Sequence, residues 1–302
     1  MNNYPSKEEL IKNAGTLMSF PDVCLQVNTM IDDPSCSASS IGEVLSRDSA
    51  LTARLLKIVN SPFYGFSSRI DTVSRAISVI GLRELQMLVT TAAAVEAFSK
   101  ISTRLIDMET FWRHSVFCAV IAKIIAEHCN VLHSERLFIS GLLHDIGSLV
   151  LYQSLPEQVE SILENICAHR ERSQHEIEHE LLGYNHAELG AALLRKWQLP
   201  DSICEAVEFH HETEKSQRFA IETSIVGLAN SLAGVADKEN LGEPVYFITE
   251  YRKILQETSE TALDKIRGSA NWQTAGVSSD NVDDILEEAV QRFDLALDAI
   301  YQ

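Results

Sequence analysis

Apolar residues recur every three to four positions along most of the chain, and this spacing is typical of amphipathic helices. No stretch alternates apolar and polar residues in the way that a half-buried strand would. The pattern therefore predicts an all-α protein. At 302 residues, 45% of them hydrophobic, the chain can bury a full core as one large domain or as two coupled ones.

Capping residues predict the helix boundaries in the N-terminal third. Ser40, with Glu43 three residues later, fits a capping box that opens one helix, and Asp48 fits the N-cap of the next. We expect that second helix to stop before Pro62, because proline disfavours helical backbone at the residue before it. A third helix is expected to end at Gly81.

Charge and composition narrow the function classes. A net charge of −18 repels phosphate backbones and argues against general nucleic-acid binding. Residues 39–60 read as short helices with a tight turn, so DNA binding there is an alternative, but they carry a net charge of only +1. The apolar runs are too short for a membrane span, the N-terminus is no signal peptide, and the six cysteines form no Cys-x-x-Cys pair. We therefore expect a cytoplasmic protein with reduced thiols and no contact with a membrane.

One buried stretch, residues 141–147, places His144 and Asp145 side by side inside an apolar run. A buried charge costs free energy unless it is paired or holds a metal. Adjacent side chains on one helical turn point roughly 100° apart, so both could bind the same ion from one side. Gly141 and Gly147 would let neighbouring helices approach closely. A simple His–Asp hydrogen bond in the core is the alternative.

Five histidines lie on apolar faces of expected helices and are predicted to point into the core. Imidazole is only intermediate in its tendency to be buried. The alternative, that all five are core residues without a function, is therefore less favoured. Several neutral imidazoles with one carboxylate are typical of transition-metal sites. These histidines are His114, His144, His186, His210 and His211.

Four segments of the N-terminal region resemble the opening of the HDOD family, with a distinctive Asp-x-x-Leu-Thr that begins at Asp48 and a Val-Asn-Ser that begins at Val59. The likeness extends over residues 18–215. That family comprises bacterial, all-helical relatives of the HD phosphohydrolases, most of them in signalling and regulation. The four segments are residues 21–23, 46–52, 55–61 and 76–81.

The resemblance implies a domain organisation. We expect an N-terminal helical subdomain over residues 18–98, an HD-like helical core over 103–215, and a helix over 216–235 that completes the core. Residues 236–302 lie outside the likeness and form an acidic helical extension, with 14 acidic and 6 basic side chains. A polar break over 268–280 precedes an apolar stripe, which either packs on the parent domain or docks a partner or a second copy.

The order of the histidines is similar to that of the HD superfamily, and to its HD-GYP branch above all, where such positions bind two metals. The resemblance implies a divalent transition metal, with iron or manganese first and zinc or nickel as alternatives. It also implies that Asp145 bridges two sites and that a final metal-binding position falls at Asn230. The first site would contain His114 and His144, and the second would contain His186, His210 and His211.

Three departures from the enzyme pattern argue against catalysis. Asn230 replaces the final aspartate, Ser148 replaces a lysine that contacts phosphate, and nothing after His211 resembles the Gly-Tyr-Pro loop. Two divalent ions ~3.7 Å apart repel by about 18 kcal/mol at an effective dielectric of ~20, and a neutral Asn230 offsets none of it. We therefore expect one ion, held on the side where no ligand is missing, by Asp145, His186, His210 and His211.

The sequence thus favours a bacterial signal-transduction or regulatory HDOD module with a degenerate metal pocket. Its partner would be a signalling protein or a small anionic ligand, and a homo-oligomer is a further option. The alternative is an active metal-dependent phosphohydrolase, in which the metal activates water and Asp145 orients it.

A second histidine motif, over residues 175–179, matches the His-Glu-x-x-His signature of zinc proteases. That signature needs its helix backed into a core. Because the flanking residues are charged, we expect this helix to present a solvated face and no protease site.

Overall fold

The computed structural model describes residues 4–17, 22–33, 35–60, 66, 68–99, 101, 105–168, 172–240 and 259–300. These residues form α-helices and two short 3-10 turns (Thr213–Lys215 and Ser279–Asn281), without a strand, as the apolar spacing predicts. The α-helices in chain order are α1 (Lys7–Leu17), α2 (Asp22–Asp32), α3 (Ala38–Leu45), α4 (Ser49–Val59), α5 (Val73–Ile80), α6 (Leu82–Ser99), α7 (Met108–His128), α8 (Ser134–Leu143), α9 (Ile146–Ser154), α10 (Pro156–Ala168), α11 (Gln174–Leu182), α12 (His186–Lys196), α13 (Asp201–Glu208), α14 (Ala220–Asn240), α15 (Ser259–Arg267), α16 (Asn271–Ala275) and α17 (Val282–Ile300).

Local capping sets the helix ends of the N-terminal region, with one correction. Asp48 is the N-cap of α4, as expected, and its carboxylate accepts a backbone N–H at 3.0 Å. Gly81 ends α5 with φ +86°, a backbone conformation that favours glycine. The predicted capping box at Ser40 is wrong, because Ser37 caps α3 and its hydroxyl accepts the Ser40 N–H. Pro62 lies outside the described residues.

Helix α7 is the centre of the described core. Its sequence is apolar on almost every side, and fifteen of its residues are buried. Helices α8, α14 and α17 all pack against it, which explains why one helix needs several apolar faces. A histidine on α7 is therefore placed deep in the protein.

Among the described residues, no helix combines the length and the hydropathy needed to cross a lipid bilayer.

Two glycines allow the close helix contacts that the sequence predicts. A Cβ added at Gly147 would lie 2.0 Å from the backbone oxygen of His186 and 2.6 Å from the backbone nitrogen of Gly190, so α9 touches the backbone of α12. A Cβ added at Gly141 would lie 2.8 Å from Cα of Ala119, so α8 touches α7. The turn between α8 and α9 is thereby held between α7 and α12.

The last helix, α17, packs against α4 of the N-terminal region and against α7 of the core. Its Phe293 ring meets Phe117 of α7 edge to face, with centroids 5.2 Å apart. Its final carbonyl, at Ile300, lies 3.5 Å from Arg54 of α4. The polar break before it contains the short helix α16. The apolar stripe therefore packs on the parent chain, while residues 241–258 of the acidic extension lie outside the described residues.

Candidate metal centre

The predicted histidines converge on one carboxylate, that of Asp145, which follows α8 and caps α9. Its oxygens lie 3.2 Å from Nε2 of His144, 3.3 Å from Nε2 of His186 and 3.6 Å from Nε2 of His210. Nε2 of His114, on α7, lies 3.9 Å away. Residues from four separate parts of the chain thus meet at one point.

The two remaining predicted residues lie on opposite sides of this point. His211 follows α13, and its Nε2 is 2.9 Å from Nε2 of His186. Asn230 lies on α14, and its Oδ1 is 3.2 Å from Nε2 of His114. Two groups of donor atoms therefore share Asp145, and the atoms of each group lie within 4.8 Å of one another. One group contains Asp145, His186, His210 and His211, and the other contains His114, His144 and Asp145.

Contacts behind the rings fix the orientation of three imidazoles. Nδ1 of His144 and Nδ1 of His210 each donate to a backbone carbonyl at 2.7 Å. Nδ1 of His186 donates to Oε2 of Glu178 at 2.6 Å, and the same oxygen accepts the backbone N–H of His186 at 2.8 Å. Since Nδ1 is the donor in each ring, the lone pair of the neutral ring is on Nε2 and faces Asp145.

The geometry fits a bound cation. Nε2 of His144, Nε2 of His210 and Oδ1 of Asp145 are buried and have no hydrogen-bond partner within the part of the chain that the structure describes. Buried acceptors that face one another are costly unless a proton or a cation lies between them. In the group that includes His186 and His211, the donor atoms of His186 and His211 are 2.9 Å apart, and those of His186 and His210 lie 3.3 and 3.6 Å from Asp145. Atoms ~2.1 Å from one ion, at right or tetrahedral angles, would lie about 3.0 to 3.4 Å apart.

Burial keeps two of the imidazoles in the neutral form, which is the form that can bind a metal. Burial lowers the pKa of His210 to about 4. Burial, together with the neighbouring His210, lowers the pKa of His211 well below its usual value. Both rings are therefore neutral near pH 7, the form that binds a metal.

Charge balance governs the other ionisable groups in the metal-free chain. Burial disfavours the imidazolium of His186, but Glu178 and Asp145 outweigh it and raise the pKa to about 10. Burial likewise opposes protonation of His144, yet Asp145 holds its pKa well above the usual value. Burial favours the neutral acid at Asp145, but His144 and the other rings lower its pKa well below the usual range. Protons thus supply the positive charge that a metal would bring.

Helix α11 is exposed at Glu176, His179 and Glu180, as expected, but it also contributes two side chains to the site. Glu178 is only 1% exposed and holds His186, and His175 stacks on His211 with centroids 4.5 Å apart and planes 6° apart. Sequence reasoning missed both contacts. One signal was present, because His175, Glu178 and Leu182 are spaced three and seven residues apart and so share a helical face.

A third group of possible ligands, Glu84, His133 and Glu135, lies away from this point. His133 is 55% exposed, and Arg136 already occupies the Glu84 carboxylate at 3.0 Å. An ion there would have to displace a guanidinium, so this group is a poorer metal site.

A cavity of about 270 Å³ lies beside the His175 side chain. The side chains of four glutamates line it, and its one lysine, Lys215, is ion-paired with Glu212. Ser148, where a phosphate-contacting lysine was expected, is buried in α9. An acidic wall of this kind repels phosphate groups. The other three glutamates are Glu176, Glu188 and Glu208.

Comparison with known proteins places these features in a family context. The family model of the HDOD domain matches residues 17–213. An uncharacterized protein of Treponema pallidum (strain Nichols) is 28% identical over 253 residues, which are 80% of this chain and 48% of the relative. The chain therefore spans about half the length of the curated relative that it matches.

Solved structures share the fold. A "putative phosphohydrolase" from Shewanella amazonensis SB2B superposes with a TM-score of 0.68 at 22% identity, over 96% of this chain and 97% of that one. An HDOD domain protein with unknown function from Geobacter sulfurreducens gives 0.60 at 24% identity, over 96% and 99%. A "putative signal transduction protein" from Marinobacter aquaeolei VT8 gives 0.64 at 18% identity, over 98% and 65%. At these identities the likeness is one of fold.

Proposed function

Because this chain belongs to the HDOD domain family, we propose that it is a bacterial signal-transduction or regulatory module whose histidine pocket binds one divalent transition metal, iron or manganese first. The observation that carries the proposal is the convergence of Nε2 atoms on Asp145, with buried acceptors that lack partners among the described residues. That donor set suits zinc and nickel as well.

The charges around Asp145 support one ion rather than two. Asp145 is the only carboxylate in either donor group, and Asn230, which contacts His114, is neutral. The repulsion between two ions, about 18 kcal/mol at ~3.7 Å and an effective dielectric of ~20, would be offset only in part by that single carboxylate. The ion would be held by Asp145, His186, His210 and His211.

The surroundings of the pocket support regulation rather than phosphate chemistry. Ser148 is buried and supplies no positive charge, and the cavity beside His175 is lined by four glutamates. A phosphate ester would meet repulsion on that side. Between the two partner classes that the sequence left open, this acidic wall favours a signalling protein over a small anionic ligand.

The alternative is a metal-dependent phosphohydrolase, and one observation favours it. Asp145 stands between the two donor groups, and its side chain is 23% exposed, so a substrate could reach it. A bound ion would supply Lewis-acid activation of a phosphate ester. The ionised carboxylate of Asp145 would then orient the attacking water.

Metal analysis and an activity assay test these proposals together. Protein purified without chelator should contain about one equivalent of metal per chain, whereas two equivalents or none would contradict the proposal. Nucleotides and cyclic dinucleotides are then offered with iron(II) or manganese(II). Hydrolysis that is lost in Asp145→Ala but kept in His179→Ala, a matched change at an exposed position of α11, would establish the alternative.

A further inference from the structure

The outer contact of His211 differs from those of its neighbours. His144, His186 and His210 are each held through Nδ1 by an acceptor at 2.6 to 2.7 Å. Within the described residues, His211 has no such contact at Nδ1. Its ring instead lies flat against His175, with centroids 4.5 Å apart and an interplanar angle of 6°.

His175 is itself well placed to hold a ring in position. It is the second residue of α11, whose N-terminus is closed by a capping box between Ser173 and Glu176. Ser173 Oγ lies 3.4 Å from Nε2 of His175, and Oε2 of Glu176 accepts from the hydroxyl of Ser173 at 2.7 Å and from its backbone N–H at 2.8 Å. A capped first turn resists fraying, so the His175 ring presents a fixed surface.

The same helix also reaches the metal centre at a second point. One turn after His175, Glu178 holds His186 through both Nδ1 and the backbone N–H. His186 and His211 are the pair whose Nε2 atoms are only 2.9 Å apart. Helix α11 therefore supports both members of the closest pair of donor atoms.

We propose that His175 is a positioning residue that holds His211 in the orientation for metal binding through ring stacking. This inference rests on the proposed function, because it requires that His211 binds a metal. His175 takes no part in coordination. The segment that resembles a zinc-protease signature thus acts as the support of a metal site built by other helices.

Cobalt(II) titration of the metal-free full chain, followed by its visible absorption, tests the inference. His175→Ala should raise the Kd for cobalt(II) by about tenfold, the lower end of the range for outer supports of metal ligands. His175→Phe keeps a flat ring without nitrogen atoms and should bind within about threefold of wild type, since stacking alone is retained. His179→Ala, at an exposed position one turn further along the same helix, should leave Kd and spectrum unchanged.

A double-mutant cycle shows whether His175 acts through His211. In a His211→Ala background, His175→Ala should cause no further loss of affinity. A further tenfold loss there, a wild-type Kd and spectrum in His175→Ala, or equal losses in the Ala and Phe variants would each overturn the inference. Absence of cobalt(II) binding by the wild-type chain would instead overturn the proposed function.

Discussion

The two donor groups that share Asp145 differ in the number of their members and in the charge of the groups next to them. On one side His186, His210 and His211 are backed by a buried carboxylate, a backbone carbonyl and a stacked ring. On the other side, His144 is held by a backbone carbonyl, and His114 lies 3.2 Å from the neutral amide oxygen of Asn230. The comparison teaches that similar residues can offer four donor atoms on one side of a carboxylate and three on the other, with a buried carboxylate behind the larger group and a neutral amide beside the smaller one.

Removal of one imidazole from each side gives the largest expected contrast. His210→Ala should weaken metal binding at least ~100-fold, because it removes a neutral ligand from the larger group, the one with four donor atoms. His114→Ala should change the Kd by less than about tenfold. Isothermal titration with manganese(II) measures both, with thermal unfolding of the metal-free proteins as a control for folding. Equal losses in the two variants would show that the sides are equivalent.

Glu178→Gln should have the next largest effect. The change keeps the shape of the side chain but removes the charge that orients the Nδ1–H of His186, so the Kd for manganese(II) should rise about 10- to 100-fold. Glu180→Gln is the matched control, since Glu180 lies on the same helix, is 63% exposed and pairs with Arg172. An unchanged Kd in Glu178→Gln would mean that the ring needs no carboxylate behind it.

Metal binding should also strengthen with pH. Although burial opposes it, Glu178 and Asp145 raise the pKa of His186 to about 10 in the metal-free chain, so a metal must displace a proton. Displacement of one proton predicts a Kd that falls about tenfold for each pH unit between pH 7 and 9.

The stability of the metal-free chain should change in the opposite direction. The folded-state pKa of His186 is above the unfolded value of 6.5, so its contribution to stability is complete below 6.5 and is lost as the pH rises through about 10. Unfolding of metal-free protein by urea between pH 6.5 and 9 measures this loss. For metal binding, a Kd that is independent of pH would show that His186 binds no proton in the metal-free state. For stability, a free energy of unfolding that is independent of pH over this range would show the same.

Asn230→Asp should produce the smallest change, a weak second site. The new carboxylate would lie beside His114 and would lower the repulsion between two ions. We expect metal content to rise from one to two equivalents at high manganese(II), with the second ion bound more weakly than the first. Asn230→Ala should stay at one equivalent. A single equivalent in Asn230→Asp would mean that charge is not what limits the second site.

Much of the fold was predictable from local patterns. Apolar spacing identified the all-α class, Asp48 and Gly81 marked helix ends, and Gly141 and Gly147 indicated close helix contacts. These features depend on neighbours only a few residues away. The cap of α3 was predicted three residues too late, at Ser40 instead of Ser37, because several serines close together each satisfy the same local rule.

The histidines of the site were predictable from the sequence, but the side chains that hold them in position were not. A histidine on an apolar face must point into the core, so the sequence could identify His114, His186 and His210 as buried. It could not show that Glu178, on a charged helix, is 1% exposed behind His186, or that His175 stacks on His211. Those contacts join residues 8 and 36 positions apart, so helical spacing can indicate the shared face of α11 but not the residues that it contacts.

The sequence by itself determined which side chains are apolar, which helices form and which histidines turn inward, since these depend on spacing along one helix. Only the tertiary structure decided that the rings meet at Asp145 and that a buried carboxylate, that of Glu178, lies behind one of the two donor groups. The physical reason is that a metal centre is a property of distances between helices. Those distances follow from close contacts such as that of Gly147 with the backbone of α12.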